Sequence, residues 1–216
     1  MTIVITGANR GIGRALFDNY SQQGKSVIGT HRAADTGVLR QLEVTDPASQ
    51  AAFAKGLNET PVDLLICNAG IYPDKYRSLA DGYPAGMWAQ GFATNVTGVF
   101  LSIQHLLSNL QLSEAGKIAI ISSQMASHTR APGGSYIYRA SKAAALNLGR
   151  NLATDLKPHG IAVGIYHPGW VKTDMGTQSA EISVDQSATG LMDRFAALDL
   201  ATTGCFETWD GQAHAY

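Results

Sequence analysis

Short, apolar, β-branched runs alternate along this chain with longer stretches of helical periodicity. Residues 3–5, 26–30, 64–67, 117–122 and 161–166 read as strands. A helix is predicted over 11–23, stopped by Gly24, the residue type suited to the position just past a helix end. A long helical pattern covers 86–110, and another covers 138–157 before Pro158 and Gly160 end it. The last third holds a helix near 183–198 and a final strand near 204–208. Residues 39–44 read as a further short strand. The segment 32–39 is too short and too rich in Ala, Asp, Thr and Gly for a helix, so one crossover is expected to be abbreviated. Alternation of this kind implies an α/β fold: a doubly wound parallel sheet with helices on both faces. No internal repeat, low-complexity tract or linker divides the chain, so residues 1–216 are read as one domain.

Composition narrows the function. A chain of 216 residues, 45% hydrophobic and 15% charged, is long enough for one sizeable core. The formal net charge of -1 and the lack of Lys/Arg runs give no electrostatic footprint for nucleic acid or an anionic membrane. Cys67 and Cys205 are far apart and form no C-x-x-C pattern, so neither a disulfide framework nor a zinc site is expected. None of the six histidines falls in a metal-binding spacing, and no catalytic metal is expected; His167, before Pro168, is assigned to packing. The first apolar run leads directly into glycines and lacks the organisation of a signal peptide, and no stretch reaches the roughly 20 apolar residues of a membrane helix. A cytoplasmic location is the expectation, and it removes the weight of the glycosylation patterns at Asn58 and Asn95.

Two local patterns carry chemistry. Thr6-Gly7-Ala8-Asn9-Arg10-Gly11-Ile12-Gly13 follows the first strand and opens the first helix, the context of a dinucleotide-binding turn in a Rossmann-type sheet. There glycine lets the backbone approach phosphate, and the helix N-terminus presents free N-H groups and a partial positive charge. Its spacing departs from G-x-G-x-x-G. Tyr138 and Lys142 are four residues apart, hence on one face of a helix. A phenol titrates near ~10, and a neighbouring ammonium is expected to draw that value toward the operating pH, making Tyr138 a proton donor. Alone, such a pair is ordinarily two surface neighbours.

The two together resemble the short-chain dehydrogenase/reductase family, whose glycine motif T-G-x-x-x-G-x-G is matched by Thr6, Gly7, Gly11 and Gly13. Asn68-Ala69-Gly70 after the fourth strand resembles its N-A-G motif, Ser123 follows the fifth strand, and Pro168-Gly169 follows the sixth. Tyr138-Arg139-Ala140-Ser141-Lys142 and the segment from His167 to Gly176 look most like the branch of C-factor and sniffer-type carbonyl reductases. The resemblance implies that Ser123 hydrogen-bonds a substrate oxygen and that Tyr138 transfers the proton. Lys142 would hold the ribose and lower the phenol pKa, with Asn95, in Thr94-Asn95-Val96-Thr97-Gly98, supporting a water relay behind it. It also implies cofactor contacts from Gly7, Asn9, Arg10, Gly11, Ile12 and Gly13. Others are expected from Asn68, Ala69 and Gly70, and from Pro168, Gly169, Val171 and Thr173 beside Tyr138 and Lys142. NAD-preferring members place an acid at the end of the second strand; here the chain reads Thr30-His31-Arg32, so NADP(H) is expected over NAD(H), with Arg32 and Arg10 facing the ribose phosphate. Glu43 stands near the adenine position, where the family often has Asp.

Competing residues are separated by geometry. Tyr136 has Ala140, not a cation, four residues on, and is assigned to the pocket. Ser122 and Ser123 turn to opposite faces of the strand, and family alignment selects Ser123. Tyr72, Met125, Pro132, Tyr136, Trp170 and Met175 form an apolar and aromatic candidate pocket suited to a hydrophobic carbonyl. The expected reaction is NADPH-dependent reduction of a small aldehyde or ketone, or the reverse oxidation of an alcohol. The alternative is an NADP(H)-binding signalling or redox-sensing protein with little turnover. The small residues Ala140, Ala143, Ala144, Ala145 and Gly149 either pair the long helices of a homodimer or homotetramer or pack on the sheet.

Overall fold

The computed structural model describes residues 1–129 and 131–216. Its seven strands are β1 (Thr2–Ile5), β2 (Ser26–His31), β3 (Arg40–Gln41), β4 (Leu64–Cys67), β5 (Lys117–Ile121), β6 (Ala162–His167) and β7 (Phe206–Thr208). They form one sheet in the order β3-β2-β1-β4-β5-β6-β7, every neighbouring pair parallel. In register, Ile3 lies beside Val27 and Leu64, and Ile120 beside Cys67 and Ile165. The order reverses between β1 and β4, the crevice where doubly wound sheets bind ligands at the strands' C-terminal ends.

Strand alternation divides the core. Val4, Leu65, Ile118, Ile120, Val163 and Ile165 point to one face, where Phe53, Ile103, Leu146 and Ala153 cover them. Ile3, Ile5, Leu64, Ile66, Ala119 and Tyr166 point to the other, against Leu16, Leu191 and Phe195. The covering helices are α1 (Gly11–Gln22), α2 (Pro47–Leu57), α3 (Ala85–Phe92), α4 (Gly98–His105), α5 (Leu107–Gln111), α6 (Tyr136–Leu156) and α7 (Val184–Ala197). Both faces are sealed, which is why these strands read as continuous apolar runs. Ala145 and Gly149 of α6 are buried on its sheet side, whereas Ala140, Ala143 and Ala144 stay half-buried, so the small-residue stripe is divided between two surroundings.

Most boundaries fall within two residues of the sequence reading. The expected helix over 86–110 is broken into α3, a five-residue π-helical turn Ala93–Thr97, α4 and α5. The last break is at Leu106, whose φ/ψ of -98/5 leaves the helical region. Of the strand expected over 39–44 only Arg40–Gln41 pairs with β2. Glu43 Oε1 then accepts from Thr45 N, and Asp46 N donates to the Glu43 carbonyl, so a turn takes those backbone groups. Residues 32–39 contain no helix, as expected. The sequence reading assigned no bounds to α2, although Asp46, whose carboxylate caps Ala48 N at 2.9 Å, followed by Pro47 is a helix start signal. α7 begins with a capping box between Ser183 and Gln186.

Candidate active site

The turn between β1 and α1 is held from behind. Asn68 donates both side-chain protons, to Thr6 O at 2.9 Å and Gly7 O at 3.0 Å, while Thr6 Oγ1 accepts from Asn68 N and Ala69 N, each at 3.0 Å. Asn68 therefore shapes the loop through its side chain. Gly7 takes a φ of 68°, a left-handed conformation natural to glycine. A Cβ on Gly13 would collide with Asn68 Nδ2 and the Gly7 carbonyl oxygen. α1 has no side-chain cap and no acid in its first turn, so its N-terminal N-H groups remain available to an anion. A diphosphate fits this cradle. Gly13→Ala is expected to weaken dinucleotide binding at least tenfold by displacing the loop; unchanged affinity in a fluorescence titration of NADPH would show that the loop is not its binding site.

The C-terminal edge of the sheet also gathers Ser123, Tyr138, Lys142 and Asn95. Ser123 follows β5, and its Oγ accepts from Met125 N at 3.1 Å, opening a single 3-10 turn. Ser122 faces away and donates to Lys142 O at 3.1 Å. Tyr138 and Lys142 are one turn apart on α6 and both are buried. The phenol stands near enough to the Ser123 hydroxyl to be influenced by it, and its ring stacks on Tyr72 with centroids 4.0 Å apart. Lys142 Nζ donates to Ile121 O at 2.8 Å and lies 5.8 Å from the Tyr138 ring centre. Asn95, in the π-helical turn, accepts from Ile71 N and donates to Ile71 O and to Ser141 Oγ, each at 2.9 Å. Its amide is thus committed to fixing the N-A-G loop against α6. A methyl on Gly70 would lie 3.3 Å from Asn95 Oδ1 and 3.5 Å from Lys142 Nζ, so both converge on that loop.

Electrostatics correct one expectation. The phenol is not drawn down toward neutrality: burial pushes Tyr138 up to about 12, with the Ser123 hydroxyl opposing the shift and Tyr72 adding to it. Burial also pushes Lys142 down to about 8. Desolvation disfavours the charged form of each group and sets the direction of both shifts.

On the rim, Arg10 forms an ion pair with Asp174 at 2.9 Å, tying the glycine loop to the segment after β6. Both side chains are largely exposed, so water screens the pair and the guanidinium can exchange partners. Arg32 is exposed just past β2, and Glu43 is engaged with Thr45. The segment after β6 is fastened by Ser187 Oγ donating to Pro168 O at 2.6 Å, by the bridge from Val171 to Ile182, and by Gly176 N donating to Thr173 Oγ1 at 3.0 Å. Lys75 Nζ reaches Met175 O at 2.6 Å from the facing β4–α3 connection. A Cβ on Gly11 would touch Thr173, which brings this segment onto the glycine loop. Of the candidate pocket residues, Tyr72 and Met125 are half-buried, while Pro132, Tyr136, Trp170 and Met175 are exposed. His167 is buried, its ring edge-on to His214.

Known proteins are similar to this chain in sequence and in fold. The family model for short chain dehydrogenases matches residues 1–183. The chain belongs to the short-chain dehydrogenase/reductase family. Within it, the chain is 35% identical to C-signal of Myxococcus xanthus over 161 residues, 74% of this chain and 96% of that protein. It is 31% identical to the 3-oxoacyl-acyl-carrier-protein reductase FabG of Escherichia coli over 198 residues, 86% of this chain and 78% of that protein. Its fold matches the NADPH-bound carbonyl reductase from chicken fatty liver with a TM-score of 0.91 at 29% identity, covering 100% of this chain and 98% of that one. It is an oxidoreductase of this family. Among the described residues no helix is long and apolar enough to cross a membrane, and no cluster of His, Cys, Asp or Glu could hold a metal ion. Sequence reasoning missed the Thr6 hydroxyl, Ser141 and Asp74, whose partners lie some 46 to 64 positions away along the chain.

Proposed function

We propose that this chain is an NADP(H)-dependent carbonyl reductase that converts an aldehyde or ketone to an alcohol, with residues 1–216 acting as one dinucleotide-binding and catalytic domain. The observation that carries the reading is the buried Ser123, Tyr138 and Lys142 set beside an uncapped helix N-terminus at the sheet's switch point. When bound, NADPH supplies the hydride. Charge then develops on the carbonyl oxygen; Ser123 and Tyr138 are the donors that stabilise it, and Tyr138 delivers the proton. A phenol that stays protonated to about 12 carries that proton throughout the neutral range, which suits reduction more than alcohol oxidation. Lys142 holds the ribose, and Asn95 keeps the N-A-G loop and α6 in register beside it. Gly7, Gly11 and Gly13, with the N-H groups of Asn9 to Ile12, receive the pyrophosphate. Ala69 and Gly70, and Pro168, Gly169, Val171 and Thr173, border the ribose and nicotinamide.

NADP(H) over NAD(H) is supported by Arg32 and Arg10 and by the lack of an acid in Thr30-His31-Arg32. It is also the form named for the chicken carbonyl reductase. Turnover of a panel of aldehydes, ketones and quinones is expected with kcat/KM for NADPH at least tenfold above that for NADH. Arg32→Asp is expected to erase that preference, since a charge-assisted bond to phosphate contributes about 1.5–3 kcal/mol. A variant that kept it would remove Arg32 from nucleotide selection. The likeness to C-signal supports a second reading, an NADP(H)-binding signalling protein. Cofactor binding with no turnover across the panel would decide for it. The half-buried Ala140, Ala143 and Ala144 are the face we assign to a homodimer or homotetramer.

A further inference from the structure

The helix that carries Tyr138 starts badly by its own sequence. Ser135, its N-cap residue, sits in the left-handed region at φ/ψ 50/40 and makes no side-chain cap; α6 has no acid in its first turn. Gly133 and Gly134 before it also have positive φ, so the chain reaches α6 through three successive left-handed residues. The Ser135 hydroxyl is hydrogen-bonded instead to Tyr72 Oη, on the β4–α3 connection. The same connection supplies the missing cap. Asp74 is completely buried; its Oδ2 accepts from Ile137 N at 2.8 Å and its Oδ1 from Tyr138 N at 3.2 Å. Resting on the proposed role of Tyr138, we infer that Asp74 is the positioning residue for the proton donor, capping α6 from the loop after β4 and setting where the phenol stands.

A buried carboxylate is costly unless its charge is met, and here two backbone donors and the positive end of a 21-residue helix meet it. Position along α6 makes the effect local. Tyr138 is the third helical residue and receives the bond directly, while Lys142 lies a turn further on, held by Ile121 O, and Ser141 is held by Asn95. Without Asp74 the buried N-H groups of Ile137 and Tyr138 lose their acceptors and the first turn is free to shift, carrying the phenol with it. Tyr72 rides on the same loop and stacks on the Tyr138 ring, so one connection fixes both the backbone and a face of the side chain.

Asp74→Ala, Asp74→Asn and Tyr138→Phe, compared with native protein, test this through kcat, KM, NADPH affinity and hydrogen exchange at the Ile137 and Tyr138 amides. Asp74→Ala is expected to lower kcat about 10- to 100-fold, the scale of a small misplacement of a reacting group. NADPH affinity should stay within about threefold and both amides should lose protection. Asp74→Asn, which keeps one acceptor oxygen, is expected to recover part of kcat and of the protection. Native kcat in Asp74→Ala, or a loss of NADPH affinity as large as the loss of kcat, would overturn the inference. If the alanine variant does not fold, the isosteric asparagine variant decides: reduced kcat at unchanged NADPH affinity supports the role, and native kcat refutes it. Native turnover in Tyr138→Phe would instead remove the proton-donor reading itself, and with it this role for Asp74.

Discussion

Tyr138→Phe is expected to lower kcat for carbonyl reduction by about 10²–10⁴-fold, the usual contribution of a positioned general acid. NADPH affinity should change little. Phenylalanine keeps the stack on Tyr72 and the burial of the ring, losing only the hydroxyl that faces Ser123. The pH dependence has a definite sign. Because burial holds the native phenol protonated up to about 12, loss of its proton should not limit kcat for reduction in the neutral range, and any fall in kcat near pH 8 would report Lys142 instead. Stability follows the same group: a folded pKa above the unfolded value of ~10 contributes stability that is complete below pH ~10 and is lost as pH rises through about 12. The phenylalanine variant should lack this alkaline loss. Steady-state kinetics and unfolding curves between pH 6 and about 11 measure both; a variant with more than a tenth of native kcat would refute the assignment.

Lys142→Met is expected to separate stability from activity. Lys142 is buried and its folded pKa is lowered to about 8 from 10.5, so between those values the unfolded chain binds the proton more tightly. Native stability should therefore rise with pH across that window, and below about 8 the folded protein bears the full cost of a buried ammonium. Methionine removes that cost and leaves Ile121 O without its side-chain donor. On balance the variant should be more stable by about 1–2 kcal/mol at pH 7, a rise in Tm of roughly 2–8 °C, with the gain fading toward pH ~10.5. Turnover should fall at least about 100-fold, and NADPH should bind more weakly, the result expected of the ribose-holding role proposed for Lys142. Thermal unfolding of both proteins at pH 7 and ~10 tests the first part; a methionine variant less stable than native at pH 7 would show that the hydrogen bond to Ile121 outweighs desolvation.

The parallel sheet, its glycine turn and the spacing of Tyr138 and Lys142 were legible because each depends on neighbours in sequence. Strands buried on both faces must be apolar throughout, a phosphate turn needs glycine where the backbone bends tightly, and one turn of helix brings residues four apart together. The break in the helix expected over 86–110 was not legible, since residues 86–110 remain helical in periodicity. Asn95 lies in the π turn, and its partners Ile71 and Ser141 are far from it along the chain, so no local pattern displays them. The phenol's titration was misjudged for a related reason. Sequence shows that a cation is near Tyr138 but not that both groups are buried, and burial decides the direction. Asp74 reads along the chain as one more acid in a polar loop. Only folding carries it 64 residues along the chain to the Tyr138 amide, where a buried N-H group must find an acceptor and α6 has none of its own. Local periodicity and turn chemistry thus determine the architecture, and the resemblance to the family's motifs singles out the candidate reacting groups. Their protonation and exact placement depend on desolvation and long-range hydrogen bonds, which exist only once distant segments have packed together.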